Sequence, residues 1–241
     1  MRRTRAERAP RAEATTADAA IVLDRVGVEV DGAVLLHDVS LELSARRTAV
    51  IGANGSGKST FARLLNGLRL ATSGSIRVHG LDPRRDAAAL RRRVGFVFTN
   101  PEAQILMPTP AEDLALSLRD LPRAARAEQV RTLLPQYGLA DHADVPVAAL
   151  SGGQRQLLAI AAVLATEPAL VVADEPTTLL DLRNSRRIGD LLLALDAALV
   201  IVTHDLELAG RCDEVVLFED GTVRVAGDPA SVIEEYRRSC A

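Results

Sequence analysis

Tryptophan is absent from the 241 residues, and aromatic residues together make up only 2%. Stacking platforms for single-stranded nucleic acid and aromatic cages for quaternary amines are built from such rings, so both functions lack raw material. The formal net charge of -3 adds no general attraction to nucleic acid or anionic lipid, and no nucleic-acid partner is expected. The two cysteines, Cys212 and Cys240, form neither a metal-ligand spacing nor a disulfide framework. They read as one buried and one terminal thiol in a reducing compartment. Long hydrophobic runs are missing too. The longest, residues 157–165, ends at Thr166, Glu167 and Pro168, well short of the roughly 18 residues that span a bilayer. No apolar segment follows Arg2 and Arg3, which excludes a secretory or twin-arginine signal, and residues 1–19 are expected to form a disordered tail. Lysine is the most telling scarcity: of 29 basic residues, only Lys58 is a lysine. Where arginine has served for every generic positive charge, position 58 must require a compact ammonium on a flexible stem.

What remains is ordinary globular material, 48% apolar and 25% charged, enough for one large domain or two small ones. Alternating, β-branched patterns predict strands over residues 21–30, 39–43 and 47–51, and the period then changes to helical over 58–70. A strand pair is expected at 75–78 and 94–98. Between 101 and 149 strand patterns give way to helical ones at 112–118 and 123–137. Beyond this insertion, helices at 154–165 and 182–195 alternate with apolar strands at 169–173 and 198–203, the mark of a parallel α/β sheet. A hairpin across Asp220 and Gly221 and a short helix from Pro229 to Arg237 complete the chain.

Two segments carry nucleotide chemistry on their own residues. Gly52, Ala53, Asn54, Gly55, Ser56, Gly57, Lys58 and Ser59, with Thr60 following, fit the pattern G-x-x-x-x-G-K-[ST] between a strand and a helix. Glycines there let backbone N–H groups turn inward around phosphate oxygens. The helix N-terminus adds a favourable dipole, Lys58 reaches the β- and γ-phosphates, and Ser59 offers a hydroxyl to Mg2+. The strand ending at Ala173 stops on Asp174 and Glu175, two acids at the C-terminal edge where α/β sheets bind ligands. Asp174 is suited to hold the metal through its water shell, and Glu175 to polarise the water that attacks the γ-phosphate of ATP.

A third segment narrows the class. Leu150-Ser151-Gly152-Gly153-Gln154 opens a helix and resembles the signature of ATP-binding cassette ATPases, a second receptor made of a serine hydroxyl, glycine amides and a helix N-terminus. The resemblance covers about residues 20–228 and implies an α/β fold: a P-loop NTPase core with a mixed sheet, an N-terminal antiparallel β part and an inserted helical subdomain at about residues 101–165, all within one domain over 20–241. It further implies a head-to-tail dimer with a second ATPase subunit, of the same or another chain, in which each ATP lies between one subunit's phosphate loop and the other's signature. Asp181 matches the aspartate at that dimer interface, and His204 the histidine that contacts the γ-phosphate. His37, His79 and His142 have no such context and are expected to be exposed.

Two positions depart from the family. Thr99 stands where a glutamine normally approaches the metal, leaving Thr99 as the candidate there, with Gln104 out of reach on an unshifted backbone. No aromatic precedes Phe61, so the ring that usually stacks on adenine near Val28 to Val30 is missing and base recognition is expected to be loose. A single cassette favours a transporter subunit, and with only a short run beyond the core no large regulatory domain is expected. Asn100-Pro101-Glu102-Ala103-Gln104, with Met107-Pro108-Thr109 and Glu112-Asp113, resembles the ATPases of energy-coupling-factor importers of vitamins and metals. Thr177-Thr178-Leu179-Leu180-Asp181-Leu182-Arg183-Asn184 resembles their biotin branch, with the cobalt and nickel branch and a coupling ATPase shared among vitamins as alternatives. Such a subunit sits peripherally on the cytoplasmic face of the membrane, beside a transmembrane coupling subunit and a membrane substrate-binding subunit. The rival reading is a regulatory cassette that binds ATP with little turnover.

Overall fold

The computed structural model describes residues 21–240, so the tail expected over 1–19 lies outside the described residues. Strand β1 (Ile21–Val30) pairs antiparallel with β2 (Ala33–Leu43). The strands are joined by Asp31 and Gly32, whose φ values of 51° and 80° are those of a two-residue primed turn. β2 therefore begins at Ala33, before the alternation at Val39. The other edge of β1 takes β4 (Ser73–Val78), completing a three-stranded antiparallel sheet in the order β2-β1-β4.

The second sheet has six strands, ordered β5 (Val94–Val97), β6 (Leu170–Asp174), β7 (Ala198–Val202), β3 (Arg47–Ile51), β8 (Glu214–Glu219) and β9 (Thr222–Gly227). The first five run parallel, and β9 returns antiparallel through the Asp220 and Gly221 turn. The fold is thus α/β with a mixed sheet and an antiparallel β part. The strand pair expected at 75–78 and 94–98 does not exist: β4 pairs with β1, while β5 pairs with β6 in the other sheet. Local alternation specifies a strand but not its neighbour.

Helix α1 (Lys58–Leu65) ends earlier than the apolar pattern suggested, because Asn66 Oδ1 accepts from Leu68 N and Gly67 takes φ 71°. Leu68 is exposed and does not extend the buried stripe. Helix α2 (Ala87–Arg93) gave no periodic signal, since Leu90 is its one buried residue. There follow α3 (Pro110–Ser117), α4 (Arg123–Gln136), α5 (Gly152–Leu164), α6 (Leu182–Leu193), α7 (Leu206–Ala209) and α8 (Pro229–Ser239).

Parallel strands buried on both faces feed two cores by alternation. On β3, Val50 joins Phe61 and Phe218 beneath the antiparallel sheet, while Ala49 and Ile51 face Ile160, Ile188 and Leu192 of the flanking helices. Fully buried, Phe61 contributes roughly 2 kcal/mol by transfer alone and stacks on Phe218 with centroids 5.1 Å apart. A third core gathers Leu114, Leu134 and Leu158 from α3, α4 and α5, with Leu139 from the turn after α4. Helix α5 belongs to both neighbours, giving Leu157 and Ile160 to the sheet side and Leu158 and Ala161 to the helical side. That double packing fixes where its N-terminus, Ser151, is presented.

Candidate nucleotide site

Strand β3 stops at Ile51, and residues 52–57 lead into α1 with a backbone that side chains would obstruct. Gly52 has φ 141°, and a Cβ on it would lie 2.2 Å from the carbonyl oxygen of Phe218. Gly57, the N-cap, has φ 99°, and its Cβ would lie 2.5 Å from Leu36 Cδ2. No side chain caps α1, so its first N–H groups keep their donors. Beside them Ser56 Oγ is buried without a hydrogen-bond partner. A cradle of unclaimed donors at a helix N-terminus fits a bound phosphate.

Lys58 is 6% exposed, and its Nζ donates to the carbonyls of Gly52 and Ala53, both at 2.8 Å. Burial pulls its pKa below the ordinary lysine value, opposed by the nearby Glu175 and Asp174 carboxylates. Ser59 Oγ donates to Asp174 Oδ1 at 2.9 Å, while Arg63 lies 3.9 Å from Asp174 Oδ2. Asp174 ends β6 and is 2% exposed. The main-chain oxygen of Asp174 accepts from Thr99 Oγ1 at 2.8 Å, which spends the threonine proton on backbone.

Glu175 turns out of the strand with φ 53° and donates its N–H to Val202 O at 3.0 Å. Left-handed backbone at a non-glycine residue costs about 1 kcal/mol, and here it aims the side chain across the strand ends. Glu175 Oε1 lies 2.7 Å from His204 Nε2, and Oε2 accepts from Thr178 Oγ1 at 2.8 Å. His204 itself leaves β7 just beyond Thr203, whose hydroxyl accepts from Asp205 N, and Asp205 caps α7. Lys58, Ser59, Thr99, Asp174, Glu175 and His204 are thereby gathered at the C-terminal ends of β3, β5, β6 and β7.

Ser151, Gly152, Gly153, Gln154 and Asp181 form a second group. Ser151 caps α5 by accepting from Gln154 N, and Gln154 Oε1 accepts from Ser151 N, a complete capping box. Gln154 Nε2 also meets His142 Nε2 at 3.0 Å. Asp181 caps α6 by accepting from Asn184 N at 2.8 Å. No hydrogen bond among the described residues joins this group directly to the first. Between them lies a cleft lined by Thr99, Pro101, Glu102, Gly152, Arg155 and Leu179.

Two histidine expectations are corrected. His79 is buried, and His142 is half-buried, its Nε2 against the Gln154 amide of the α5 capping box; of the three, His37 alone is exposed. Sequence reasoning missed Thr178, Arg63 and Asn184, whose roles depend on partners folded onto them. Gln104 is committed elsewhere: its Oε1 accepts from Phe98 N and its Nε2 donates to Ala159 O.

Residues 36–178 match the family model described as ABC transporter. A Deinococcus radiodurans protein, named provisionally as an ABC transporter ATP-binding protein, is 46% identical over 219 residues, covering 90% of this chain and 97% of its own. The biotin transport ATP-binding protein BioM of Rhizobium etli is 37% identical over 223 residues, 92% of this chain and 99% of the relative. The energy-coupling factor transporter ATP-binding protein EcfA1 of Halalkalibacterium halodurans is 36% identical over 225 residues, 89% and 81% of the two chains. Among solved structures, cbiO1 of Clostridium perfringens, part of the ABC transporter complex cbiONQ, superposes with a TM-score of 0.79 at 30% identity, covering 89% of this chain and 90% of that one. The chain therefore belongs to the ABC transporter ATP-binding subunits of the energy-coupling-factor type, ATPases that work with other subunits in a transporter complex.

Proposed function

We propose that this chain hydrolyses MgATP in a head-to-tail dimer of cassettes and so drives an energy-coupling-factor importer whose cargo is biotin. The observation that carries the reading is the convergence of Lys58, Ser59, Asp174, Glu175 and His204 at one edge of the parallel sheet.

Residues 52–60 cradle the phosphates with backbone N–H groups, and Lys58 presents its ammonium to the β- and γ-oxygens. The metal fits the donor set: Ser59 and Asp174 supply hard oxygens 2.9 Å apart, with the Thr99 hydroxyl on the Asp174 main chain. Among the described residues no group of three or more His, Cys, Asp or Glu could hold a metal ion by itself, which suits a cation that keeps waters and shares phosphate oxygens. When bound, Mg2+ neutralises charge on the β- and γ-phosphates. Glu175 accepts the proton of the water that attacks the γ-phosphorus, as the bond to the ADP oxygen breaks. His204, beside Glu175, holds the γ-phosphate. Thr178 fixes the second carboxylate oxygen, so Glu175 presents one defined face to water.

The signature group serves the partner's nucleotide, with Asp181 at the dimer seam. Its separation from the phosphate loop within one chain supports that arrangement. The loop from Thr99 to Gln104 is the face for a transmembrane coupling subunit, with a membrane substrate-binding subunit beside it, and the chain lies peripherally on the cytoplasmic side. Among the described residues no helix is long and apolar enough to cross a membrane. Biotin is favoured by the similarity to BioM and by residues 177–184, whereas the 46% identical relative carries no substrate in its name. The missing adenine-stacking ring does not touch the phosphate chemistry.

The test is Glu175→Gln. The variant is expected to bind ATP as the wild type does, lose turnover and accumulate as a MgATP-dependent dimer in light scattering. A variant that still turns over defeats the assigned base, and one that stays monomeric defeats the sandwich. Wild-type turnover without measurable acceleration over solvent would favour the regulatory reading. Vesicles reconstituted with the membrane subunits should take up labelled biotin in an ATP-dependent manner.

A further inference from the structure

The second glycine of the signature, Gly153, is buried, and a Cβ on it would lie 2.7 Å from Asn184 Cγ and 2.9 Å from both Asn184 Nδ2 and Oδ1. The asparagine amide therefore lies flat against the Cα of Gly153. A short side chain normally yields by rotating, but this one is held: Nδ2 donates to Asp181 Oδ2 at 2.7 Å, and the Asn184 backbone N–H donates to Asp181 Oδ1 at 2.8 Å. Those hydrogen bonds also hold the Asp181 carboxyl below the usual carboxylate range, with the Asn184 backbone bond the largest cause. Gly152, by contrast, has nothing within 4 Å of a Cβ position. The two glycines of one turn thus differ: Gly152 faces open space and Gly153 faces Asn184.

We propose that Asn184 is a positioning residue that fastens the Asp181 turn to the signature turn within one chain, so that the two motifs move as one body. This rests on the reading above for its kinetic consequence, but the fastening is a property of the chain alone. The neighbouring contacts agree with it. Arg187, one turn further along α6, donates to Tyr137 O at 3.1 Å, and a Cβ on Gly138 would lie 2.9 Å from its Nη2. The N-terminal half of α6 is therefore seated against the helical layer that carries Ser151. An alanine at 153 would force Asn184 away and cost the Asp181 bond, or push the signature turn outward. Either displacement separates two motifs that must meet one partner together, and misplacement of about 1 Å is enough to cost a large factor in rate.

Two measurements test the fastening on the full chain. In hydrogen exchange, Asn184→Ala is expected to raise exchange together in residues 178–182 and in residues 150–154. A rise confined to the start of α6 overturns the proposal. In turnover of the assembled transporter, Gly153→Ala is expected to lower kcat by at least about tenfold, with the ATP affinity of the separate chain unchanged. Asn184→Ala is expected to lower kcat by a similar factor, and Gly153→Ala combined with Asn184→Ala to lose no more than the larger single loss, because both substitutions undo one fastening. Losses that multiply in the double variant, or a harmless Gly153→Ala or Asn184→Ala, overturn it. Absence of turnover in the wild-type transporter would defeat the functional reading, and the exchange experiment would still decide the fastening.

Discussion

Position 58 shows why one lysine survives in a chain that otherwise uses arginine. Lys58 is buried, and its ammonium donates to two carbonyls of the same loop at 2.8 Å each, a loop whose Gly52 and Gly57 admit no Cβ. A guanidinium has the same charge but is planar, broader and less able to turn three protons onto a curved set of oxygens. Lys58→Arg is expected to fold, with a thermal midpoint within a few degrees of wild type, and to lose about 100-fold or more in ATP turnover. Near-normal hydrolysis by the purified variant would refute the argument from the sole lysine. This residue was legible from composition and local pattern, as were Asp174 and Glu175, because a buried apolar strand that stops on acids marks its own C-terminal edge. Cys212 was also readable as structural: it is buried, its thiol pushed up to about 12 chiefly by that burial, so it stays protonated at neutral pH. Thr178, Arg63 and Asn184 were not readable, since each acts through an atom that folding brings to it rather than through a pattern of its own.

At the scale of elements, the loop after β5 illustrates how a single changed residue is absorbed. The Phe98 backbone is held on both sides, its N–H by Gln104 Oε1 and its carbonyl by Gln156 Nε2, and Thr99 is tied to the end of β6. Glu102 meets Arg155 at 2.9 Å, and Arg155 also donates to the carbonyls of Val147 and Ala148 ahead of the signature. The loop is thus linked mechanically to the end of β6 and to α5. On the proposed reading, a membrane partner docked on it would have a direct route to the signature turn. Turnover of the separate chain is expected to be low, the assembled complex about tenfold faster, and Thr99→Gln is expected to narrow the gap. Equal rates for chain and complex, unchanged by the substitution, would make Thr99 a silent variation. Strands and long helices here followed their periodicity, because most bury a regular face. Helix α2 did not, with Leu90 its only buried residue, and the partners of β4 and β5 were invisible because pairing is decided by the fold and not by the strand.

At the scale of the whole molecule, the proposed function rests on two residue groups which the fold of one chain keeps apart. The phosphate loop and its acids lie at the ends of the parallel strands, while Ser151 is presented by a helix anchored in a separate core. In the head-to-tail dimer proposed above, pairing would complete both sites at once, each surface meeting its complement on the other subunit. Leu179 and Leu182, on either side of Asp181, are exposed and would supply apolar surface to the proposed seam. This arrangement makes an arithmetic prediction for two variants, each inactive by itself. In Lys58→Ala the phosphate loop fails, and in Ser151→Arg the signature fails while ATP still binds the chain's own loop. Mixed in equal amounts, the two give one heterodimer site with both defects and one with neither. Random pairing makes half the dimers mixed, so the mixture should regain about a quarter of wild-type turnover if this chain pairs with itself. Were signature and loop of the same chain to act together, every site in every dimer would carry a defect and mixing would restore nothing. The assay is ATP hydrolysis by each variant and by the mixture after exchange of subunits, at fixed total concentration. Recovery near that fraction supports the self-paired sandwich, and no recovery overturns it.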